Sequence, residues 1–113
     1  MAAHTLQLAT EPFEAIKAGQ KTIESRLYDA KRQQIQRGDQ LVFVNREDPA
    51  QSLHAEVIGL HRFHTFRELF EHTDIAKFAQ PSVADAEQQI RQFYSSDDEA
   101  THTVLGIEFK LVQ

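Results

Sequence analysis

The stretch Gly19-Gln20-Lys21-Thr22-Ile23-Glu24-Ser25-Arg26 decides how the chain is read. Gly19 can end a helix, and the run from Lys21 to Leu27 that follows it is short and β-prone. Side chains alternate along an extended strand, so Glu24 and Arg26 share one face while Ile23 and Leu27 take the other. The apolar pair belongs to a core and the charged pair to a polar surface or cleft. Lys21 is three residues from Glu24 and falls on the opposite face of an ideal strand. It stands at the strand's start, where the turn after Gly19 can redirect it. A segment that only packs has no reason to carry an amine, a carboxylate and a guanidinium so close together. These heads are therefore read as lining a cleft that grips an anionic or polar group. The alternative is a Lys–Glu–Arg ladder that merely sets register, worth ~0–1 kcal/mol if exposed.

Working outward, Thr5-Leu6-Gln7-Leu8 alternates as a short strand. Thr10 is placed to cap a helix through Phe13, Ile16 and Lys17, with Pro12 in the first turn, where its missing N–H costs nothing. On the other side, Asp29 caps a basic turn from Ala30 to Gln36, closed by Arg37-Gly38-Asp39. Gln40 to Asn45 reads as a fully buried strand and Arg46 to Gln51, with Asp48-Pro49, as a hairpin-like loop. Leu53 to Phe63 returns as a long strand with a bulge or bend at Gly59. Thr65 and Glu68 have capping-box spacing before a helix through Leu69 and Phe70. Ser82 to Asp85 caps another, with Ala86, Ile90, Phe93 and Tyr94 as its apolar stripe. Ser95 to Glu99 reads as an acidic turn before the closing strand Val104 to Val112. Strands joined by tight turns, with helices inserted between them, predict an α+β fold around a small β-barrel, as one domain over residues 1–113.

Composition narrows the partners. A length of 113 residues suits one modest core. With no cysteine there are no disulfides, no thiolate chemistry and no cysteine-based zinc site. A net charge of -5 argues against a general duplex-DNA binder. The charge is uneven, however. Lys17, Lys21, Arg26, Lys31, Arg32 and Arg37 are opposed only by Glu24 and Asp29, while most of the acid lies further along the chain. One basic face on an acidic body suits a local anionic ligand. The chain has no apolar run long enough to cross a bilayer, and Met1 to Thr5 lacks a signal-peptide layout, so no membrane partner and a cytoplasmic location are expected. His61 and His64 are three apart on a predicted strand and face opposite ways, and His4, His54, His72 and His102 are scattered, so no metal is expected. The four glycines are isolated and make no phosphate-cradling loop, so no cofactor is expected either.

If Lys21 and Glu24 meet, two roles are open to the lysine: a general base with a lowered pKa, or an ammonium that holds a phosphate or a developing oxyanion. The planar fork of Arg26 is the better clamp for phosphate or carboxylate. Tyr28 can stack on a base, or be only a half-buried aromatic at a strand end. Lys31 and Arg32 are phosphate contacts or simply an exposed basic turn. Ser95 is polar cleft lining or, more safely, a helix-end hydroxyl.

The spacing Gly19-x-Lys21-x-x-Glu24-x-Arg26, followed by Leu27-Tyr28-Asp29, resembles the signature of the ASCH domain, a small β-barrel of the PUA-like superfamily. Pro12-Phe13, Lys31-Arg32, Gly38-Asp39, the helix from Phe66 to Phe70, Phe93-Tyr94-Ser95 and Gly106-Ile107-Glu108 extend the likeness over nearly the whole chain. The resemblance implies a PUA-like barrel with inserted helices and a cleft beside the motif that receives RNA, a nucleoside or a nucleotide. Its binding residues are then Lys21, Glu24, Arg26, Tyr28, Lys31 and Arg32. One subgroup of small ASCH proteins hydrolyses the acetyl amide of N4-acetylcytidine, using the motif lysine, a threonine three residues later and a downstream glutamate. Here Glu24 stands in the threonine's place and Glu71 is the nearest downstream candidate. A binding domain is thus the first reading. The alternative is a hydrolase at the same cleft, an amidohydrolase or a ribonuclease, with Lys21 and Glu24 as its catalytic pair. An interaction module that uses the acidic helical half is the third.

Overall fold

Alternating apolar residues make the strands, and two of those strands bury both faces. The computed structural model describes residues 1–112. Its elements run β1 (Ala3–Leu8), α1 (Thr10–Lys17), β2 (Ile23–Leu27), β3 (Gln40–Asn45), β4 (Ser52–Phe63), α2 (Phe66–His72), α3 (Val83–Ile90), α4 (Ser96–His102) and β5 (Val104–Val112). Short 3-10 turns lie at Arg32–Gln34 and Ile75–Lys77. The strands form one sheet in the order β1-β3-β4-β5-β2. Among the described residues only the β1–β3 pair is parallel. The long β4 changes register between Val57 and Gly59, where the sequence predicts a bulge, and the sheet curls into a half-barrel. Its edges, β1 and β2, do not pair with each other.

Two apolar clusters pack on the two sides of this sheet. The first fills the curl with Leu6, Leu8, Leu41, Phe43, Val57, Leu105, Ile107 and Phe109, plus Phe13 and Ile16 from α1. The second lies outside it, where Ile23, Leu27 and Val104 meet Phe66, Leu69, Phe70, Phe78 and Ala86 from the helical side. β2 separates the two. Ile23 and Leu27 face the helices, whereas Glu24 and Arg26 pair directly with Ile107 and Leu105 and so share the face of the inner cluster.

Gly106 lets α2 approach this closely. A Cβ there would lie 2.9 Å from Leu69 Cδ1 and 3.4 Å from Ile23 Cγ2. Gly106→Ala is therefore expected to lower the unfolding free energy by about 1–3 kcal/mol through overpacking. Urea denaturation checks this, and an unchanged midpoint would mean that Leu69 swings clear at no cost.

Helix caps account for most of the remaining boundaries, with three departures from the expectations above. Thr65 and Ser82 accept from the backbone N–H groups of Glu68 and Asp85 and start α2 and α3, as their spacing predicts. Thr10 is not a cap but the first residue of α1: its N–H donates to Glu47 and its hydroxyl to Asn45, tying the helix to the β3–β4 loop. The expected acidic turn at Ser95 to Glu99 is the start of α4, with a full capping box between Ser95 and Asp98. The stripe predicted for α3 is also too long. The helix stops at Ile90, and Phe93 is 55% exposed.

Candidate functional site

The turn after α1 explains where Lys21 goes. Gly19, at φ 80°, donates to Ile16 O, while Gln20 N–H reaches back to Ala15 O, the paired closure that ends a helix on a left-handed residue. Lys21 N–H also donates to Ala15 O, so this residue still belongs to the turn, and β2 begins only at Ile23. Lys21 makes an isolated bridge to Phe78, and Thr22 N–H donates to Lys77 O. Out of phase with the strand, Lys21 places its Nζ 2.7 Å from Glu24 Oε1. The redirection that the sequence left open therefore takes place.

Arg26 completes the set from the same face of β2. Its Nε donates to Glu24 Oε2 at 2.8 Å, so each carboxylate oxygen holds one cation. Its Nη2 donates to Gln7 O at 2.9 Å, which carries the side chain across the gap between the unpaired edges β2 and β1. Glu24 is only 5% exposed. Burial alone pushes its pKa up, but the charges and hydrogen bonds of Lys21 and Arg26 outweigh this and hold it at about 2. For Arg26, burial works to lower the pKa, and the Glu24 carboxylate, helped by Tyr94, raises it instead. The three heads are thus a charged unit with one surplus positive charge, well beyond an exposed register ladder.

The sign of the pH dependence follows. A carboxylate whose folded pKa lies below its ordinary 4.5 stabilises the fold fully above that value. That contribution is lost as pH falls from about 4.5 through about 2. Wild-type protein is expected to lose stability over this window, and Glu24→Gln to lose less there. Denaturant midpoints measured across the window check it; parallel curves for the two proteins would contradict it.

Lys21, Glu24 and Arg26 form one wall of a cavity of about 300 Å³. The sequence does not reveal the other walls. Phe70, Phe78 and Ala86 supply apolar surface from the helical side, and Gln80 and Gln89, hydrogen-bonded to each other, add amides. Phe93 and Tyr94 bring aromatic rings from the segment after α3. Arg46, from the β3–β4 loop, and Glu11, from α1, are both exposed and also line it. Apart from Glu11, these residues lie far from the motif along the chain, and no local spacing relates them to it. Phe93 carries one signal, its place as an aromatic just past the end of a helix.

The other residues singled out from the sequence lie elsewhere. β2 ends at Leu27, and Tyr28, Lys31 and Arg32 are not in the cavity wall. The Tyr28 ring is covered by the Arg62 guanidinium, whose carbon lies 3.8 Å from the ring centroid. Arg32 is held by Asp29 at 3.2 Å, and Lys31 is exposed. Glu71 is exposed, pairs with Arg67 and does not reach the cavity. Ser95 caps α4, the helix-end role that is the safer of its two readings. Among the described residues no three His, Asp or Glu side chains group as a metal site, and no helix is long and apolar enough to cross a membrane.

Comparisons with known proteins agree with this architecture. A family model described as the ASCH domain matches residues 6–113. The crystal structure of the hypothetical protein PH0355 superposes with a TM-score of 0.86 at 33% identity, covering 99% of this chain and 100% of that one. The solution NMR structure of protein PF0455 from Pyrococcus furiosus gives 0.75 at 31% identity, covering 100% and 99%. An ASCH protein from Zymomonas mobilis gives 0.64 at 17% identity, covering 94% of this chain and 65% of its own, and shows a shared fold alone. No curated protein matches the chain.

Proposed function

The chain belongs to the ASCH domain family, of PUA-like fold, and from that membership together with the cavity we propose that it binds an RNA- or nucleotide-like ligand over β2. The family's general association with nucleic acids supports this reading. The observation that carries it is the engagement of both Glu24 oxygens by Lys21 and Arg26. The carboxylate is used up within the wall, and the N–H groups of the two cations that do not bond Glu24 or Gln7 O are left for oxygens of a ligand. The exposed Phe93 ring lines the same cavity, where a base can stack, beside Tyr94, whose ring is itself stacked on Phe66. A surplus of donors, one net positive charge and flanking aromatics suit a phosphate- or carbonyl-bearing heterocycle.

The same geometry favours binding over acid–base hydrolysis. A carboxylate held at about 2 is a weak proton acceptor near neutral pH. Glu24 also stands where the acetylcytidine hydrolases place a threonine, and no second glutamate is found in the cavity wall besides Glu11 at its exposed edge. Incubation with N4-acetylcytidine is expected to release no acetate.

Calorimetric titration with a mononucleotide and with single-stranded RNA tests the reading. Lys21→Met is expected to weaken both by about tenfold or more, the scale of a lost charge-assisted hydrogen bond. Phe93→Ala removes a side chain that is 55% exposed, so it should leave the melting temperature alone while lowering affinity about tenfold, as loss of one stacking partner does. Wild-type affinity in both variants would place the ligand elsewhere.

A further inference from the structure

The Tyr28–Arg62 pair is a second site that the cavity does not use. Arg62 is exposed, yet its guanidinium carbon lies over the Tyr28 ring, 3.8 Å from the centroid. Among the described residues no carboxylate pairs with it. An arginine held by an aromatic ring alone keeps its N–H edge and its outer face free. Tyr28 is itself fixed from below, because its N–H donates to Thr103 O, its carbonyl accepts from Gln33 Nε2, and its ring packs on the inner cluster. Lys31, in the turn that follows, is exposed and likewise without a carboxylate partner.

Strand register relates this pair to the cavity. Leu105 on β5 stands opposite Arg26 on one side and opposite Arg62 on the other. Directly paired residues share a face, so Arg26, Leu105 and Arg62 form one row across three strands. Two strand spacings put the Arg62 backbone about 10 Å from that of Arg26. Neither Tyr28 nor Arg62 lines the cavity, so a ligand confined to it does not engage them, whereas a strand of several nucleotides spans the gap.

From this placement we infer that Arg62 on Tyr28 is a stacking shelf for a second nucleotide of single-stranded RNA, one that flanks the nucleotide in the cavity. The inference rests on the reading that the cavity takes a nucleotide-like ligand. The shelf offers a planar cation for a base and an N–H edge for a phosphate, with Lys31 as a further phosphate contact. It also gives the protein a reason to prefer an oligonucleotide over a mononucleotide.

Fluorescence anisotropy with a labelled single-stranded RNA hexamer, alongside calorimetry with a mononucleotide, tests this directly. Arg62→Ala should weaken hexamer binding about tenfold, the scale of one lost base stack. It should also reduce the magnitude of the salt slope by about one unit, the loss of one phosphate contact. Mononucleotide affinity should not change. Tyr28→Leu, which keeps an apolar side chain under the arginine, should weaken the hexamer alone in the same way. Hexamer affinity and salt slope unchanged in Arg62→Ala, no hexamer binding by the wild type, or equal weakening of hexamer and mononucleotide would each overturn the shelf. A failed cavity reading has a different signature, since the mononucleotide would not bind or would be indifferent to Lys21→Met.

Discussion

Arg26→Ala is expected to cost about 3–5 kcal/mol of unfolding free energy at neutral pH, as breaking a buried ion pair does. The substitution leaves Glu24, 5% exposed, with a single cation, and it frees Gln7 O at the gap between β1 and β2. Its pH dependence identifies the cause. Without the guanidinium, burial of Glu24 is opposed by Lys21 alone, so its folded pKa rises from about 2. The deficit against wild type is then full at neutral pH and shrinks as pH falls through that raised value. Adding Glu24→Gln to the variant should recover part of the loss by removing the stranded charge. Urea titrations at several pH values measure all of this. A deficit below about 1 kcal/mol would return the motif to an exposed register ladder.

Glu99→Ala should be nearly as damaging, at about 3 kcal/mol, although no motif marks this residue. Glu99 is 5% exposed and joins three elements. Its Oε2 accepts from Phe66 N–H at the start of α2, and Arg91 Nη2 lies 3.0 Å from both of its oxygens. Truncation orphans a helix-terminal N–H and releases Arg91, which stands two residues before Phe93 and three before Tyr94 on the cavity wall. Ligand affinity should therefore fall together with stability. Glu99→Gln keeps one acceptor oxygen, at the position that takes Phe66 N–H, and should lose less of both. A stable Glu99→Ala protein with wild-type affinity would show that the segment after α3 is held by its packing alone.

Much of the fold was legible because it rests on local rules. Alternation in β2 separated Ile23 and Leu27 from Glu24 and Arg26, Gly19 marked the end of α1, and Thr65 and Ser82 marked the starts of α2 and α3. α4 escaped because it has almost no apolar stripe: Glu99 is its one buried residue, and charge and capping hold it in place. Thr10 misled because its cap-like identity serves a long-range bond to Asn45 instead. Half of the cavity, the Lys21–Glu24–Arg26 wall, could be read from one strand and one turn. The facing half could not, since Gln80, Gln89, Phe93 and Tyr94 reach β2 only through the packing of the helical layer, which leaves no periodic trace linking the two segments. Tyr28, Lys31 and Arg32 continue the motif in sequence but leave the cavity in space, because β2 stops at Leu27.

The central claim is that the ligand sits between β2 and the segment after α3. Backbone amide NMR shifts, followed while single-stranded RNA is titrated into the full chain, test it most directly. The shifts should cluster at Gln7 to Glu11, Lys21 to Arg26 and Gln89 to Tyr94, with saturation that weakens as salt rises. Saturable shifts confined to other surfaces, with those three segments unmoved, would contradict it.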